Sequence, residues 1–190
     1  VSDMIGVQLR GAVPYSLVKR PKPGEAQDES LRDESARDRK GFPVFFEGKG
    51  DSLRFITARA LELSMNGLVQ VFYELERSGN EPDFRVREDL VLGIDSLKKA
   101  PDKDGSIIQK GVASMQFHYF GKSQEEKEPR WRREWDGRTM RGIPSGVRIR
   151  IVLADDMAYP LDWIVWIPSE PWSIGTARRS TVPFFRPLLK

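Results

Sequence analysis

The chain has 190 residues, with 31 lysines and arginines, 28 aspartates and glutamates, one histidine and no cysteine. The lack of cysteine excludes thiol catalysis, disulfides and cysteine-zinc sites, and one histidine is too few for a zinc site built from histidines. No apolar run approaches the ~20 residues of a membrane span, and no signal peptide opens the sequence. With 39% hydrophobic residues and a net charge of +3, we predict one soluble globular domain over residues 1–190, and composition indicates no activity.

The segment from Val1 to Val18 has the apolar spacing of a helix. Ile5, Leu9 and Val13 follow one another at steps of four, which places them on one helical face. Pro14 disfavours helical geometry at the residue before it, so we expect the helix to fray near Val13. The pattern begins without a capping motif, which is typical of a helix entered partway along its length.

Two segments are predicted to lie outside regular elements. Between residues 19 and 40, 13 of the 22 residues are charged, seven basic and six acidic, and Leu31 is the only large apolar side chain. Such a stretch buries too little to offset its ordering entropy, so we predict a flexible charged loop. Over residues 168–190 we predict an irregular tail, since Pro183 and Pro187 interrupt regular elements there.

From Phe42 onward, apolar residues recur with a period of two, which predicts strands with one buried and one solvated face. The predicted inward positions are Leu53, Phe55 and Thr57; Val69, Val71, Tyr73 and Leu75; Phe84, Val86, Glu88 and Leu90; Ala113, Met115, Phe117 and Tyr119; and Val147, Ile149, Ile151 and Leu153. Leu161 to Ile167 is apolar on both faces, so we expect a covered or central strand there.

One helix followed by six or more short strands predicts an α+β fold in which the N-terminal α-helix packs on antiparallel β-sheet. A parallel, doubly wound sheet would need helical crossovers between its strands, and the sequence pattern contains none. Turn signals rich in glycine, asparagine and aspartate separate the strands instead, as expected for hairpin connections.

Few residues have the pattern of a catalytic or metal site. His118 shares the polar face of its strand with Ser114 and Gln116, but no glycine-flanked serine elbow accompanies it, so a surface histidine is the preferred interpretation over a Ser/His site. Asp102-Lys103-Asp104-Gly105 resembles the opening of a calcium loop without its later ligands, and Asp155-Asp156 is a weaker candidate still. We therefore predict no catalytic residue, no metal and no cofactor.

Basic and aromatic residues alternate from Arg130 to Arg141, a segment with five arginines and two acids. This pattern is typical of phosphate binding combined with base stacking, so a single-stranded nucleic-acid-binding β-domain is one alternative. The preferred interpretation is a strand whose Trp131 and Trp135 face the core while the arginine stems cover its edge. No longer basic patch supports the nucleic-acid alternative.

Five sequence elements follow one another in a recognisable order. They are Leu9-Arg10-Gly11-Ala12-Val13-Pro14; Phe46-Glu47-Gly48 with Leu53-Arg54-Phe55-Ile56; Val71-Phe72-Tyr73-Glu74-Leu75; Gly111-Val112 with Met115-Gln116-Phe117-His118-Tyr119; and Trp131 to Trp135 followed by Ile143-Pro144-Ser145-Gly146-Val147-Arg148-Ile149. Together they resemble the soluble part of the minor pseudopilin J family (GspJ) of the bacterial type II secretion system. The family's prepilin leader and long apolar helix are missing, the charged loop is long, and the tail after Ile167 has no counterpart.

The resemblance implies a structural protein without enzymatic activity. An N-terminal helix that precedes this sequence would anchor the subunit in the inner membrane, and the globular part would lie in the periplasm at the tip of the pseudopilus. There it would assemble with the minor pseudopilins GspI, GspK and GspH to initiate the fibre and support protein export, binding neither nucleic acid nor a small-molecule substrate. A minor pilin of a type IV pilus-like machine is the alternative.

Such a role requires the N-terminal helix to contact both its own sheet and partner helices. The helix has apolar residues over a wide arc, so we predict a partner interface at Val1, Met4, Ile5, Val7, Leu9 and Ala12. Within this arc, Ile5 and Leu9 would face the sheet, together with Val13, while Val1 and Met4 would help form the partner surface. The alternative that the whole arc is internal core stays open.

Overall fold

A computed structural model describes residues 1–17, 43–61, 67–78, 81–101, 105–156 and 159–168 of the chain. The predicted charged loop at 19–40, the tail after residue 168 and the candidate calcium ligands at 102–104 lie outside these residues. One principal helix and two antiparallel sheets confirm the α+β class. No helix within the described ranges is long and apolar enough to cross a membrane.

The N-terminal helix α1 spans Ser2–Arg10 and is nine residues long. It ends sooner than predicted, because the chain turns at Gly11 and Ala12 then forms an antiparallel β-bridge with Thr57. A side chain at Gly11 would lie 2.5 Å from the stem of Arg59, so only glycine lets the backbone approach the sheet this closely. Contact with the sheet therefore ends the helix before the chain reaches the proline.

Six strands form the larger sheet. They are β1 (Phe46–Gly48), β2 (Ser52–Thr57), β3 (Val69–Ser78), β4 (Glu81–Leu90), β5 (Ser106–Gln109) and β8 (Trp135–Asp136). They pair antiparallel in the order β5-β4-β3-β2-β1-β8. A short 3₁₀ helix, Ile94–Lys98, follows β4. We call this the six-stranded sheet.

Four strands form the second sheet. They are β6 (Val112–Gly121), β7 (Arg130–Arg132), β9 (Gly146–Leu153) and β10 (Leu161–Trp166). They pair antiparallel in the order β10-β9-β6-β7, which we call the four-stranded sheet. The one-turn helix α2 (Gly137–Met140) follows β8, and Asp136 caps it by accepting a hydrogen bond from the Arg138 amide at 2.9 Å.

One cluster of buried apolar side chains joins α1 to the inner faces of both sheets. Its members include Ile5, Leu9, Leu53, Phe55, Val71, Tyr73, Phe84, Val86, Met115, Phe117, Tyr119, Val147, Ile149 and Ile151. Tyr119 links the two sheets, since its ring lies against Gly48 and its hydroxyl donates to the Lys49 carbonyl at 2.7 Å. Most of the predicted inward positions are therefore core positions.

A second, smaller cluster lies on the other face of the six-stranded sheet. It consists of the buried side chains of Phe45, Ile56 and Leu97, the last from the 3₁₀ helix. The Arg54 guanidinium donates to the Leu97 carbonyl at 2.6 Å and lies 4.9 Å above the centre of the Phe45 ring. The 3₁₀ helix therefore covers part of this face, and the hydrogen bond from the half-buried Arg54 holds it there.

Two predicted strand positions are wrong. Ala113 is exposed rather than inward, because the register of β6 shifts between Val112 and Ser114 and places Val112 in the core instead. The segment Leu161 to Ile167 contains β10, which lies at an edge of the four-stranded sheet rather than in its centre, and Ile164 and Trp166 on its outer face are exposed. The apolar residues on the second face of β10 are therefore exposed rather than buried.

Candidate functional site

Helix α1 has a buried apolar face and an exposed apolar face. Ile5 and Leu9 are fully buried in the main core, whereas Met4 and Val7 are each 43% exposed. Val1 is half-buried and packs against the core from the helix start. The helix therefore carries more apolar surface than its own domain covers.

A buried polar network fixes the orientation of α1. The fully buried Gln8 donates to Glu88 Oε1 at 2.5 Å and accepts a hydrogen bond from the Tyr73 hydroxyl. Glu88 also accepts from the Leu61 amide at 2.8 Å, and the Thr57 hydroxyl donates to the Gln8 carbonyl at 2.9 Å. Burial raises the pKa of Tyr73, so its hydroxyl keeps the proton that it donates. Because rotating the helix would leave these buried groups unsatisfied, the network determines which helix face is exposed.

The predicted partner interface divides into two groups. Ile5, Leu9 and Ala12 belong to this chain's own core, with exposed fractions of 0%, 0% and 7%, so a partner cannot reach them. The reason is that the four-residue spacing of Ile5 and Leu9 aligns them on the face that packs against the sheets. The interface prediction narrows to Met4 and Val7, with the half-buried Val1.

The outer face of the four-stranded sheet carries an aromatic cluster. Trp131, Phe120, Gly146 and Trp166 are successive partners across β7, β6, β9 and β10, so they form one row across the sheet. Ring centroids lie 5.2 Å apart for Phe120 and Trp131 and 5.6 Å apart for Phe120 and Trp166. Trp131 is 40% and Trp166 56% exposed, and Ile164, in the next row, is 44% exposed. We call these five residues the aromatic surface.

Cationic side chains border the aromatic surface on the same face of the sheet. Arg148 donates two hydrogen bonds to Asp162, at 2.8 and 2.6 Å, and His118 is its partner across β6 and β9. The hydrogen bonds from Arg148 lower the pKa of Asp162, and the charges of Arg148, Arg150 and His118 act in the same direction. One carboxylate therefore faces two arginines and a histidine, which leaves this border with an excess of positive charge.

The two tryptophans of the Arg130–Arg141 segment occupy different environments. Trp135 is buried as predicted, and its indole N–H donates to the Gly142 carbonyl at 2.8 Å. Trp131 faces outward against Phe120, so the prediction that both face the core is wrong for this residue. The reason is that β7 and β8 belong to different sheets, and the alternation of one strand does not continue into the other.

Ion pairs occupy several arginines of the same segment. Glu126 pairs with Arg130 at 2.7 Å and also accepts from Arg132, while Arg138 pairs with Glu47 at 2.9 Å. The hydrogen bond from Arg132, with one from a backbone amide, lowers the pKa of Glu126 to about 2. Arginines neutralised within the chain present less charge to a phosphate, so the segment offers weaker support for nucleic-acid binding than its sequence indicates.

His118 lies half-buried on the outer face of β6, on the side predicted from its alternation with the exposed Ser114 and Gln116. Among the residues that the structure describes, no hydrogen bond joins it to a serine, and no group of three or more His, Cys, Asp or Glu could hold a metal ion. An open surface depression lined by Asp51 and Glu74 does not include the histidine. The described residues therefore place no nucleophile beside this base.

The aromatic surface is the feature that sequence reasoning missed, although two signals mark it. Phe120 has outward parity, since it follows the inward Tyr119 on β6. Gly146 stands at an outward position of β9, where a Cβ atom would lie 2.8 Å from the Trp166 ring. An outward phenylalanine beside an outward glycine predicts a large ring on the neighbouring strand, because the glycine leaves room for it.

No protein-family model matches this chain, and no curated protein matches it in sequence. Among solved structures, the chain is similar to one in the crystal structure of the GspK-GspI-GspJ complex from the type 2 secretion system of enterotoxigenic Escherichia coli. The two are 12% identical, and the match covers 87% of this chain and 91% of that chain. The TM-score is 0.44.

Proposed function

We propose that this chain is a structural subunit with a pseudopilin-like role, and that the exposed face of α1 is its assembly surface. The observation that carries the proposal is the division of α1 into a core face fixed by the Gln8 network and a second apolar face at Met4 and Val7. Contiguous exposed apolar surface on a helix is typical of an interaction site.

The expected partner of this face is another helix. Met4 and Val7 stand three residues apart, so their side chains are neighbours on one side of α1 and form a ridge. Ridges of this kind pack into the grooves of a second helix at interaxial distances of about 8–10 Å. An assembly surface at the start of the chain also agrees with the family role, in which subunits meet through their N-terminal helices.

More specifically, we propose that the chain is a minor pseudopilin of the GspJ type. The five sequence elements that resemble this family coincide with the end of α1, with β1 and β2, with β3, with β6 and with the segment from β7 to β9. The subunit would then act in the periplasm at the pseudopilus tip, with GspI, GspK and GspH as partners and an inner-membrane anchor preceding this sequence. It would support protein export without catalysing a reaction.

A charge on the exposed helix face tests the proposal. Met4→Glu with Val7→Glu should leave folding intact, because both side chains lie on the exposed face of α1, where single surface changes cost about 0.5 kcal/mol or less. Binding to the sister minor pseudopilins of the same organism should weaken at least about tenfold, since truncating or charging an interface anchor costs more than about 1 kcal/mol. Affinity is measured by isothermal titration calorimetry and folding by circular dichroism.

Ser2→Glu is the control for added charge: it places one glutamate, against two in the double variant, at an exposed position in the first turn of α1, where an acid suits the helix dipole. It should leave the affinity within about twofold of the native value. A folded Met4→Glu, Val7→Glu variant that binds its sisters as tightly as the control would remove α1 from the assembly surface.

A further inference from the structure

The aromatic surface carries exposed apolar side chains that no described residue covers. Trp131, Ile164 and Trp166 are 40%, 44% and 56% exposed. Both tryptophan rings lie against Phe120 and their own centroids are 6.4 Å apart, so the three rings form one compact cluster. A contiguous apolar patch with a polar rim is typical of a contact site for a protein or a membrane.

The aromatic surface lies at one end of the four-stranded sheet, and cationic side chains follow it along the strands. Gly146 begins β9 and Trp166 ends β10. Arg148 and Arg150 are exposed on the same face, about 7 and 13 Å further along β9. Asp162 is the acid that faces these two arginines. The face therefore changes from apolar to cationic over the length of a few residues.

The loop that joins β6 to β7 adds positive charge at the same end of the sheet. Gly121 and Arg130 are partners beside the pair of Phe120 and Trp131, so this loop starts and ends next to the rings. Residues 122–132 contain four lysines and arginines and three glutamates. With the two arginines of β9 and the aspartate of β10, the rim of the aromatic surface has six cations and four acids.

The exposed apolar area is small for a stable contact between proteins. The exposed parts of the two tryptophans and of Ile164 amount to roughly 300 Å². A standard interface takes about 800 Å² from each partner. A second copy also offers no opposite charge, since its face carries the same excess of arginine. A bilayer needs no matching shape, so a small apolar cluster with a cationic rim suits a lipid surface better.

The ring geometry disfavours nucleic-acid bases as the occupant, although phosphates would also suit the cationic rim. The planes of Phe120 and Trp131 are tilted by 48°, and those of Phe120 and Trp166 by 89°. Successive bases stack on open ring faces, whereas these rings turn edges and faces toward one another. The cluster therefore suits a disordered apolar medium better than a stacked strand of bases.

Tryptophan and arginine side chains suit the surface of an anionic bilayer. Tryptophan is enriched at the level of the lipid headgroups, because its ring is apolar and its N–H group forms hydrogen bonds. Each lysine or arginine near an anionic surface strengthens binding about fivefold through its attraction to the headgroups. With the rings at headgroup level, the two arginines of β9 are close enough along the strand to reach the lipid phosphates.

We infer that the aromatic surface inserts into the headgroup region of an anionic lipid bilayer, with Trp131, Ile164 and Trp166 toward the acyl chains and Arg148 and Arg150 on the lipid phosphates. The small apolar area makes this contact peripheral and reversible. The inference concerns a lipid contact of this chain and does not depend on the assembly role proposed above.

A dye on the aromatic surface tests this contact in the full chain. The chain has no cysteine, so Ile164→Cys and Ile107→Cys each provide one labelling site. These isoleucines are 44% and 40% exposed, but Ile107 lies on β5 of the other sheet. A nitrobenzoxadiazole dye brightens when it leaves water. With vesicles of equal parts phosphatidylglycerol and phosphatidylcholine, the emission should rise at least about twofold at position 164 and stay constant at position 107.

Substitution of the rings measures the apolar part of the contact. Trp131→Ser with Trp166→Ser should weaken binding to these vesicles at least about tenfold, because both exposed indoles are lost. Met4→Ser with Val7→Ser removes exposed apolar surface from α1 instead and should leave binding unchanged. Co-sedimentation with the vesicles measures both.

Substitution of an arginine measures the electrostatic part. Arg150→Gln leaves the pair of Arg148 and Asp162 in place and removes one charge from the rim, so it should weaken binding about fivefold. Arg77→Gln, which removes an exposed arginine from the six-stranded sheet, should leave binding within about twofold of the native value. The effect of Arg150→Gln should vanish with vesicles of pure phosphatidylcholine.

Four outcomes would overturn the inference. One is an emission at position 164 that anionic vesicles do not change. Another is an equal rise at positions 164 and 107, or native binding by the tryptophan variant, because another part of the chain would then hold the membrane. A rise at position 164 on concentrating the chain without lipid would assign the surface to a second copy. A rise with a thymidine oligonucleotide but not with vesicles would assign it to nucleic acid.

Discussion

The two sheets differ in the faces that they turn away from the core. On the six-stranded sheet, charged side chains on that face hold one another: Arg87 pairs with Glu74 at 2.7 Å and with Glu76 at 3.1 Å. On the four-stranded sheet, the corresponding face exposes the rings of Trp131 and Trp166. Both faces come from the same two-residue alternation, yet among the described residues the charges of the first face are paired, whereas the rings of the second are exposed.

This difference separates a solvent face from a contact face. Paired charges keep their hydration or exchange it for one another, so a face built from them needs no cover. Exposed rings gain free energy whenever another apolar surface removes them from water, by about 25 cal/mol for each Å² buried. The aromatic surface and the Met4/Val7 face of α1 share this property, and both are therefore candidates for contact.

The largest expected difference in the free energy of unfolding is between substitutions on the two faces of β6. Phe117 is fully buried on the inner face of β6, whereas Phe120 is half-buried on its outer face. Phe117→Ala should lower the free energy of unfolding by about 3–5 kcal/mol, because it leaves a cavity in the core. Phe120→Ala should cost less than about 2 kcal/mol. Urea unfolding measures both, and equal losses would show that the outer face is as closely packed as the inner one.

The next effect compares two glycines that lie under rings. Gly48→Ala should lower the free energy of unfolding by about 1–3 kcal/mol. The added Cβ atom would overlap the buried Tyr119 ring, which a hydrogen bond holds in place. Gly146→Ala should cost under about 1 kcal/mol, because the exposed Trp166 ring can swing into solvent. Thermal unfolding separates the two. A larger loss at Gly146 would mean that Trp166 is held as firmly as Tyr119.

A smaller effect compares arginines on the two outer faces. Arg87→Met removes the partner of two carboxylates, so it should lower the free energy of unfolding by about 1–2 kcal/mol. Arg148→Met breaks a more exposed pair with Asp162 and should lower it by less than about 1 kcal/mol. Burial already raises the pKa of Glu74, and loss of Arg87 should raise it further. The loss of stability caused by Arg87→Met should therefore become smaller as the pH falls, because Glu74 takes up a proton. A deficit that is independent of pH would contradict this assignment.

The smallest effect concerns Glu126, which pairs with Arg130 and Arg132. Its pKa in the folded chain is lowered to about 2 from 4.5, so it contributes stability above pH 4.5 that is lost as the pH falls toward 2. Glu126→Gln should therefore flatten the acid limb of the thermal unfolding midpoint over this window. Glu128→Gln, which removes a nearby exposed carboxylate, is the control, and an equal flattening in both variants would contradict the role of the Arg132 hydrogen bond.

Much of the fold could be predicted because burial imposes a local period on the sequence. The inward positions of β2, β3, β4 and β9 follow from alternation alone, since each strand has one face in the core. Ala113 could not be placed, because a bulge in β6 changes the parity without a mark in the sequence. The end of α1 at Gly11 was equally hidden, since the β-bridge that follows it pairs Ala12 with Thr57, far along the chain.

The candidate surfaces were less predictable than the fold. The apolar arc of α1 was visible in the sequence, but periodicity could not tell which part the domain itself would cover. That division depends on Gln8, whose hydrogen bonds reach Glu88 and Tyr73 on distant strands. The aromatic surface depends on the pairing of β10 with β9 and of β6 with β7, and the order of strands in a sheet is not a local property.

Oxidation of methionine by hydrogen peroxide is the most direct test of the proposal that the exposed face of α1 meets sister subunits. Met4 is 43% exposed and Met115, in the core, is 4% exposed, so the chain contains both its reporter and its internal reference. On addition of the sister minor pseudopilins, the oxidation rate of Met4, read by mass spectrometry, should fall at least about tenfold while that of Met115 stays constant. A stable complex in which Met4 oxidises as fast as in the free chain would contradict the proposal.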